Sequence, residues 1–187
     1  MKRTDSKTRI LLECAIMIAL ATVLSLIKVL QMPLGGSITA VSMLPIILIS
    51  FRHGPRWGLL TGFVHSLLQM LIEGLYAPPA GTAAAFALEV LLDYVIAFTL
   101  LGIAGVCGRD GKPRQVIAGC LLATGLRFLC SFLSGFIVWA SIAQEGLGAV
   151  IYSLTYNAQY MVPEMILTTV VAAILNKVQP ALFRRQA

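Results

Sequence analysis

The sequence predicts an all-α integral membrane protein of six transmembrane helices, with the N-terminus and the C-terminus both cytoplasmic. Three observations carry that prediction. Of the 187 residues, 58% are hydrophobic and 12% charged, far more apolar than one soluble core of this size requires. Six apolar stretches approach the roughly 20 residues that a helix needs to cross about 30 Å of hydrocarbon, and no alternating ten-residue pattern suggests a barrel. The cations are also sorted: Lys2, Arg3, Lys7, Arg9, Arg52, Arg56, Arg109, Lys112, Arg114, Lys177, Arg184 and Arg185 all fall at chain ends or in every second connection. Lys and Arg near short loops stay on the cytoplasmic side. The intervening segments 31–39, 73–81 and 141–153 carry neither.

Taken in order, a cytoplasmic tail to Arg9 leads into a first helix over residues 8–30. That stretch lacks the charged stub, short apolar run and small-residue cleavage site of a processed signal, so it is expected to be retained. Ala15 and Ala19 lie four apart on it, followed by Ala21, a small-residue spacing that lets another membrane helix approach closely. The outer connections Met32-Pro33-Leu34-Gly35-Gly36-Ser37 and Ala77-Pro78-Pro79-Ala80-Gly81 are rich in turn formers and either suits a lid; the first is the better candidate, and the second is equally read as a plain connector. The second helix, 37–51, is short and carries Pro45, which suits a helix lodged among others. The third covers 57–76, with a lone His65 read as a packing or hydrogen-bonding residue, and His53 sits in the preceding inner turn.

The fourth helix, 82–106, carries Glu89 and Asp93, the fifth, 115–140, carries Arg127, and the sixth, 154–178, carries Glu164. An ionisable group inside a span costs at least about 2.5 kcal/mol, so each should pair or serve a ligand. Glu89 and Asp93 are four residues apart and share one helical face, so a cation is expected nearby. Arg127 is expected to pair with one of them, with Glu164 as the competing partner. At the same outer depth stand Tyr94, Trp139, Tyr152, Tyr156 and Asn157. An interfacial aromatic belt accounts for Tyr and Trp there, but not for a carboxylate. Aromatic faces with an anion suit a flat organic cation.

Several functions are excluded. The net charge of +6 is explained by topology, so no nucleic-acid partner is implied. The chain has no phosphate-binding loop ending in Gly-Lys-Ser or Gly-Lys-Thr, no zinc-protease helix and no nucleophile setting. Cys14, Cys107, Cys120 and Cys130 lack the paired spacing of a metal or redox site. The chain is expected to bind or pass a molecule rather than transform it, without metal or cofactor, as one unit over 1–187. The residues alone leave open a self-sufficient secondary transporter, in which Glu89, Asp93, Arg127 and Glu164 would relay protons.

The chain resembles the substrate-binding S components of energy-coupling factor vitamin transporters, in their thiamine-specific branch. The resemblance is clearest in Ser50-Phe51-Arg52-His53-Gly54 through Gly58-Leu59-Leu60-Thr61-Gly62, in Leu92-Asp93-Tyr94 through Leu101-Gly102-Ile103-Ala104-Gly105, and in Gly135-Phe136-Ile137-Val138-Trp139 through Tyr152-Ser153-Leu154 and Asn157. It implies a multi-pass subunit of the cell membrane that binds thiamine from outside under a lid made by the first outer loop. It also implies docking, through Ala15 and Ala19, on a transmembrane coupling protein bound to two ATPases. By resemblance Asp93 faces the thiazolium, Tyr94 and Tyr152 are aromatic binding residues, Trp139 stacks on a ring and Asn157 bonds the aminopyrimidine. Ser131 stands where a relative has His, the lid lacks an expected Trp, and Glu89 shares the acidic role if Asp93 falls short by a methylene. A thiamine precursor or another vitamin is the neighbouring alternative.

Overall fold

A computed structural model describes residues 2–79, 81–142 and 148–186. Met1, Ala80, residues 143–147 and Ala187 lie outside the described residues; Ala80 and residues 143–147 fall in the segments 73–81 and 141–153 predicted to face outward. The protein is mostly helical. Helix α1 runs Lys2–Leu26, α2 Leu44–His53 and α3 Pro55–Glu73. Helix α4 runs Ala83–Cys107, α5 Pro113–Ile137 and α6 Ala149–Val178.

The structure corrects the first two predicted helices. Helix α1 stops at Leu26, and the chain then forms a small antiparallel hairpin, β1 Lys28–Gln31 with β2 Ser37–Thr39. Leu30 pairs with Ile38 and Gln31 with Ser37. A short apolar run reads the same as strand or helix by hydropathy, and here the turn decides. Gly35 and Gly36 take φ of +93° and +85°, which reverse the chain at little steric cost. Helix α2 therefore begins at Leu44, with Pro45 in its first turn, and is buried continuously from Leu44 to Phe51. Ten residues rise about 15 Å, half a bilayer core, and burial on every side replaces lipid contact.

Four helical stretches are long and apolar enough to cross a membrane among the described residues: Lys7–Leu26, Ala83–Cys107, Pro113–Ile137 and Ala149–Val178. Helix α3 has 19 residues but includes Arg56, His65, Gln69 and Glu73. Its contact with α4 is unusually close. A Cβ on Gly58 would lie 2.5 Å from the Gly102 carbonyl oxygen, and one on Gly62 2.3 Å from that of Phe98. Only glycine lets these backbones meet. Ser50 adds α2 to the junction, its hydroxyl donating to Gly102 O and accepting from Gly105 N at 2.8 Å. Around it, Ile46, Ile47, Phe51, Leu101, Ala104, Val116 and Cys120 form the core. Large apolar side chains such as Leu11, Ile16, Leu71 and Ile166 cover the outside, as a lipid-facing surface requires.

Helix α4 changes its winding along its length. Residues Val90–Ile96 are π-helical and Leu101–Cys107 form a 3₁₀ turn. Such π segments cluster at functional sites because the wider turn re-aims side chains; Asp93 lies in the middle of this one.

Cations gather at one end. The Arg109 guanidinium donates to the carbonyls of Phe51 and Arg52 at 2.8 Å each. The final residues cross the same end, with Arg185 N donating to Arg109 O and Gln186 N to Arg52 O, both at 2.9 Å. Glu13, which the sequence did not single out, reaches this cluster from α1 and bonds Arg52 and, at 2.9 Å, His53.

Candidate binding site

At the end opposite the Arg52, Arg109 and Arg185 cluster, α3, α4, the α5 end, α6 and the hairpin enclose a cavity. Its empty space is about 1110 Å³, open solvent at the mouth included. All seven binding residues named from the sequence line it: Glu89, Asp93 and Tyr94 from α4, Ser131 from α5, Trp139 just beyond α5, and Tyr152 and Asn157 from α6.

The wall formed by α6 is a stack of tyrosines one turn apart. Tyr152 and Tyr156 stack with centroids 6.0 Å apart and planes at 24°, and Tyr156 meets Tyr160 edge-on at 6.2 Å. The spacing of four places all three on one helical face. Each hydroxyl of the lower pair is spent on structure. Tyr156 accepts from Leu34 N at 2.9 Å and donates to Gly35 O at 3.0 Å, holding the hairpin tip down. Tyr160 donates to Asn157 Oδ1 at 2.6 Å, while Asn157 Nδ2 donates to Ser153 O at 2.9 Å. Gly36 lies so close to the Tyr160 ring that a Cβ would sit 2.5 Å from it. The hairpin between α1 and α2 thus covers the cavity, as a lid would.

The floor is charged. Asp93 is half-buried and accepts a hydrogen bond from Ser134. Glu89 is 1% exposed, and its Oε2 has no hydrogen-bond partner among the described residues. Arg127 departs from the sequence expectation: it forms no ion pair with Asp93, Glu89 or Glu164 among the described residues. Its guanidinium carbon lies instead 4.2 Å from the Phe98 ring centre, a cation–π contact that stabilises a dehydrated guanidinium. Glu164 is occupied elsewhere, accepting from Thr39 N at 2.7 Å and Thr39 Oγ1 at 2.6 Å. The amide and hydroxyl of Thr39, the last residue of β2, take that carboxylate. His65 is fully buried, 3.3 Å from Thr22 Oγ1 and edge-on to Phe98, the packing role expected of it.

Sequence reasoning missed part of the lining: Lys28, Gln69, Glu73, Tyr76 and Thr39. Lys28 was hidden inside a predicted helix, and its ion pair with Glu73, 2.7 Å long, is a contact across 45 residues that spacing does not reveal. With Lys28 and Glu73 neutralising each other, the remaining charged lining is Asp93 and Glu89 against Arg127. Two carboxylates facing one guanidinium leave the cavity short of one positive charge when both acids are ionised. Elsewhere, Ala15 and Ala19 are exposed on α1, whereas Ala21 is buried and faces the core.

Comparison with known proteins agrees with this architecture. Residues 11–184 match the thiamine transporter protein family. The chain is 37% identical to thiamine transporter ThiT of Bacillus subtilis (strain 168), over 93% of each chain. It is 28% identical to thiamine transporter ThiT of Lacticaseibacillus paracasei, over 93% of this chain and 90% of that one. A solved structure of ThiT from Listeria monocytogenes shares the fold, with a TM-score of 0.78 at 23% identity over 96% of this chain and 99% of that one. The chain belongs to the thiamine transporter protein family, and it is a transport protein rather than an enzyme.

Proposed function

We propose that the cavity binds thiamine from the outer face, and that the chain is the substrate-binding S component of an energy-coupling factor transporter in the cell membrane. The observation that carries this reading is the pairing of an excess carboxylate with flat aromatic walls. A thiazolium is a planar cation that cannot donate its charge away, so it is held best by an anion at its edge and π faces above and below. Asp93 supplies the anion, steadied by Ser134 and flanked by Ser131, with Glu89 behind it. Trp139, Tyr94 and Tyr152 supply flat faces, and Asn157 an amide for the aminopyrimidine.

In this reading six helices lie in the bilayer, α2 buried among the others, with both termini cytoplasmic. Clustering of Arg52, Arg109 and Arg185 at the end remote from the cavity supports that orientation. Energy for uptake is assigned to partners: a transmembrane coupling protein, docked against the exposed Ala15 and Ala19 of α1, and two ATPases bound to it. Close helix approach at small residues supports that docking face.

Isothermal titration of the purified protein with thiamine tests the reading, alongside a competition panel of thiamine precursors and other vitamins. One saturating site with thiamine preferred is the expected result. No heat at micromolar thiamine, or preference for an uncharged vitamin, refutes it. Uptake into liposomes by this chain alone under a proton gradient would replace it with a self-sufficient transporter.

A further inference from the structure

Four side chains outside the proposed ligand contacts form a chain of three polar contacts at the cavity mouth. Lys28 Nζ lies 2.7 Å from Glu73 Oε2. The other oxygen of that carboxylate, Oε1, accepts from Gln69 Nε2 at 3.1 Å. Gln69 Oε1 in turn accepts from Ser25 Oγ at 3.0 Å. Ser25 and Lys28 flank the bend between α1 and β1, while Gln69 and Glu73 stand one turn apart on α3. This chain of contacts ties the base of the hairpin to the last turn of α3.

Apart from its ladder with β2, β1 has few other anchors among the described residues. Val29 is 73% exposed and Leu30 is also exposed, so apolar burial contributes little to keeping the strand in place. The other attachments of the hairpin are further along it: its tip at Tyr156 and its exit at Thr39, where Glu164 grips from a buried position. Charge placement separates these attachments. Glu164 is sealed inside the bundle, whereas Lys28 and Glu73 are 24% and 23% exposed at the mouth, where water can replace each partner as the pair parts.

We infer that the Lys28–Glu73 pair, aligned by Gln69 and Ser25, is a latch whose opening sets the rate at which a bound molecule leaves the cavity. The hairpin then swings about the Thr39–Glu164 anchor, and opening breaks the latch and the Tyr156 contacts together. Lys28 and Glu73 are positioning residues here, acting through the hairpin rather than on the ligand. The inference rests on the cavity being the thiamine site, but the latch itself can be read without ligand.

The test uses Lys28→Met, Glu73→Gln and the charge-swapped pair Lys28→Glu with Glu73→Lys. Stopped-flow fluorescence measures thiamine dissociation, and hydrogen exchange measures the Leu30 and Ile38 amides in ligand-free protein. Each single variant is expected to speed dissociation roughly three- to fivefold, the worth of a partly exposed ion pair at the upper end of its range, and to speed exchange at both amides. The swapped pair is expected to return both readouts to within about twofold of the parent. Dissociation and exchange unchanged in Lys28→Met overturn the latch. Loss in Glu73→Gln alone, without rescue by the swap, also overturns it, because Glu73 then acts on the ligand directly. If the parent protein does not bind thiamine, the functional reading fails and the exchange data alone decide the latch.

Discussion

Replacing Asp93 by Asn isolates the charge on which recognition is proposed to depend. The change keeps size and shape, and the Asn carbonyl oxygen still accepts from Ser134, so the pocket floor stays in place. A carboxylate about 4 Å from a cation is worth about 4 kcal/mol at an effective dielectric constant of 20. Two features of the structure reduce that figure. Asp93 faces an open cavity, and Arg127, which lines the same cavity, already offsets part of its field. A net loss of roughly 1.5–3 kcal/mol remains, or about 10- to 150-fold in Kd. Titration calorimetry on the purified parent and variant, with thiamine and with a neutral thiophene isostere of its thiazolium ring, supplies the measurement. Thiamine should weaken by that factor while the neutral isostere binds both proteins alike. An affinity for thiamine within twofold of the parent, or equal weakening of both ligands, refutes the role given to Asp93.

Other outcomes follow from the same geometry. Gly36→Ala places a methyl 2.5 Å from the Tyr160 ring at a φ of +85°; the hairpin tip should lift, weakening thiamine at least about tenfold with little change in the thermal midpoint of the helices, read by calorimetry and thermal scanning. Gly102→Ala puts a methyl 2.0 Å from the Gly58 carbonyl carbon and should cost about 1–3 kcal/mol of stability, seen as a lowered unfolding midpoint in detergent. Ala15→Trp combined with Ala19→Trp, on the exposed face of α1, should leave thiamine affinity intact while abolishing co-purification with the coupling protein.

Much of the site was legible because charge in an apolar segment is expensive. Glu89 and Asp93 stood out on α4 for that reason, Tyr152 and Asn157 on α6 for their depth, and all four line one cavity. What sequence could not supply were choices settled by distant partners. Nothing in Lys28-Val29-Leu30-Gln31 distinguishes the end of a helix from a strand; the pairing with Ser37-Ile38-Thr39 and the glycine turn do. Arg127 had three carboxylates to choose from, yet stacks on Phe98, a residue that periodicity marks only as core. Ser134 is one of several small polar residues on α5, and its hydrogen bond to Asp93 exists only because α4 lies alongside. The π-helical stretch that carries Asp93 has no compositional signature at all.

The central claim, that flat aromatic walls and an acidic floor receive thiamine, is tested most directly at Trp139. The chain has two tryptophans, and Trp57, at the start of α3, does not line the cavity. In Trp57→Phe the remaining emission reports on the cavity wall alone. Thiamine should quench it saturably, at one molecule per chain; emission that stays flat through micromolar thiamine would contradict the account.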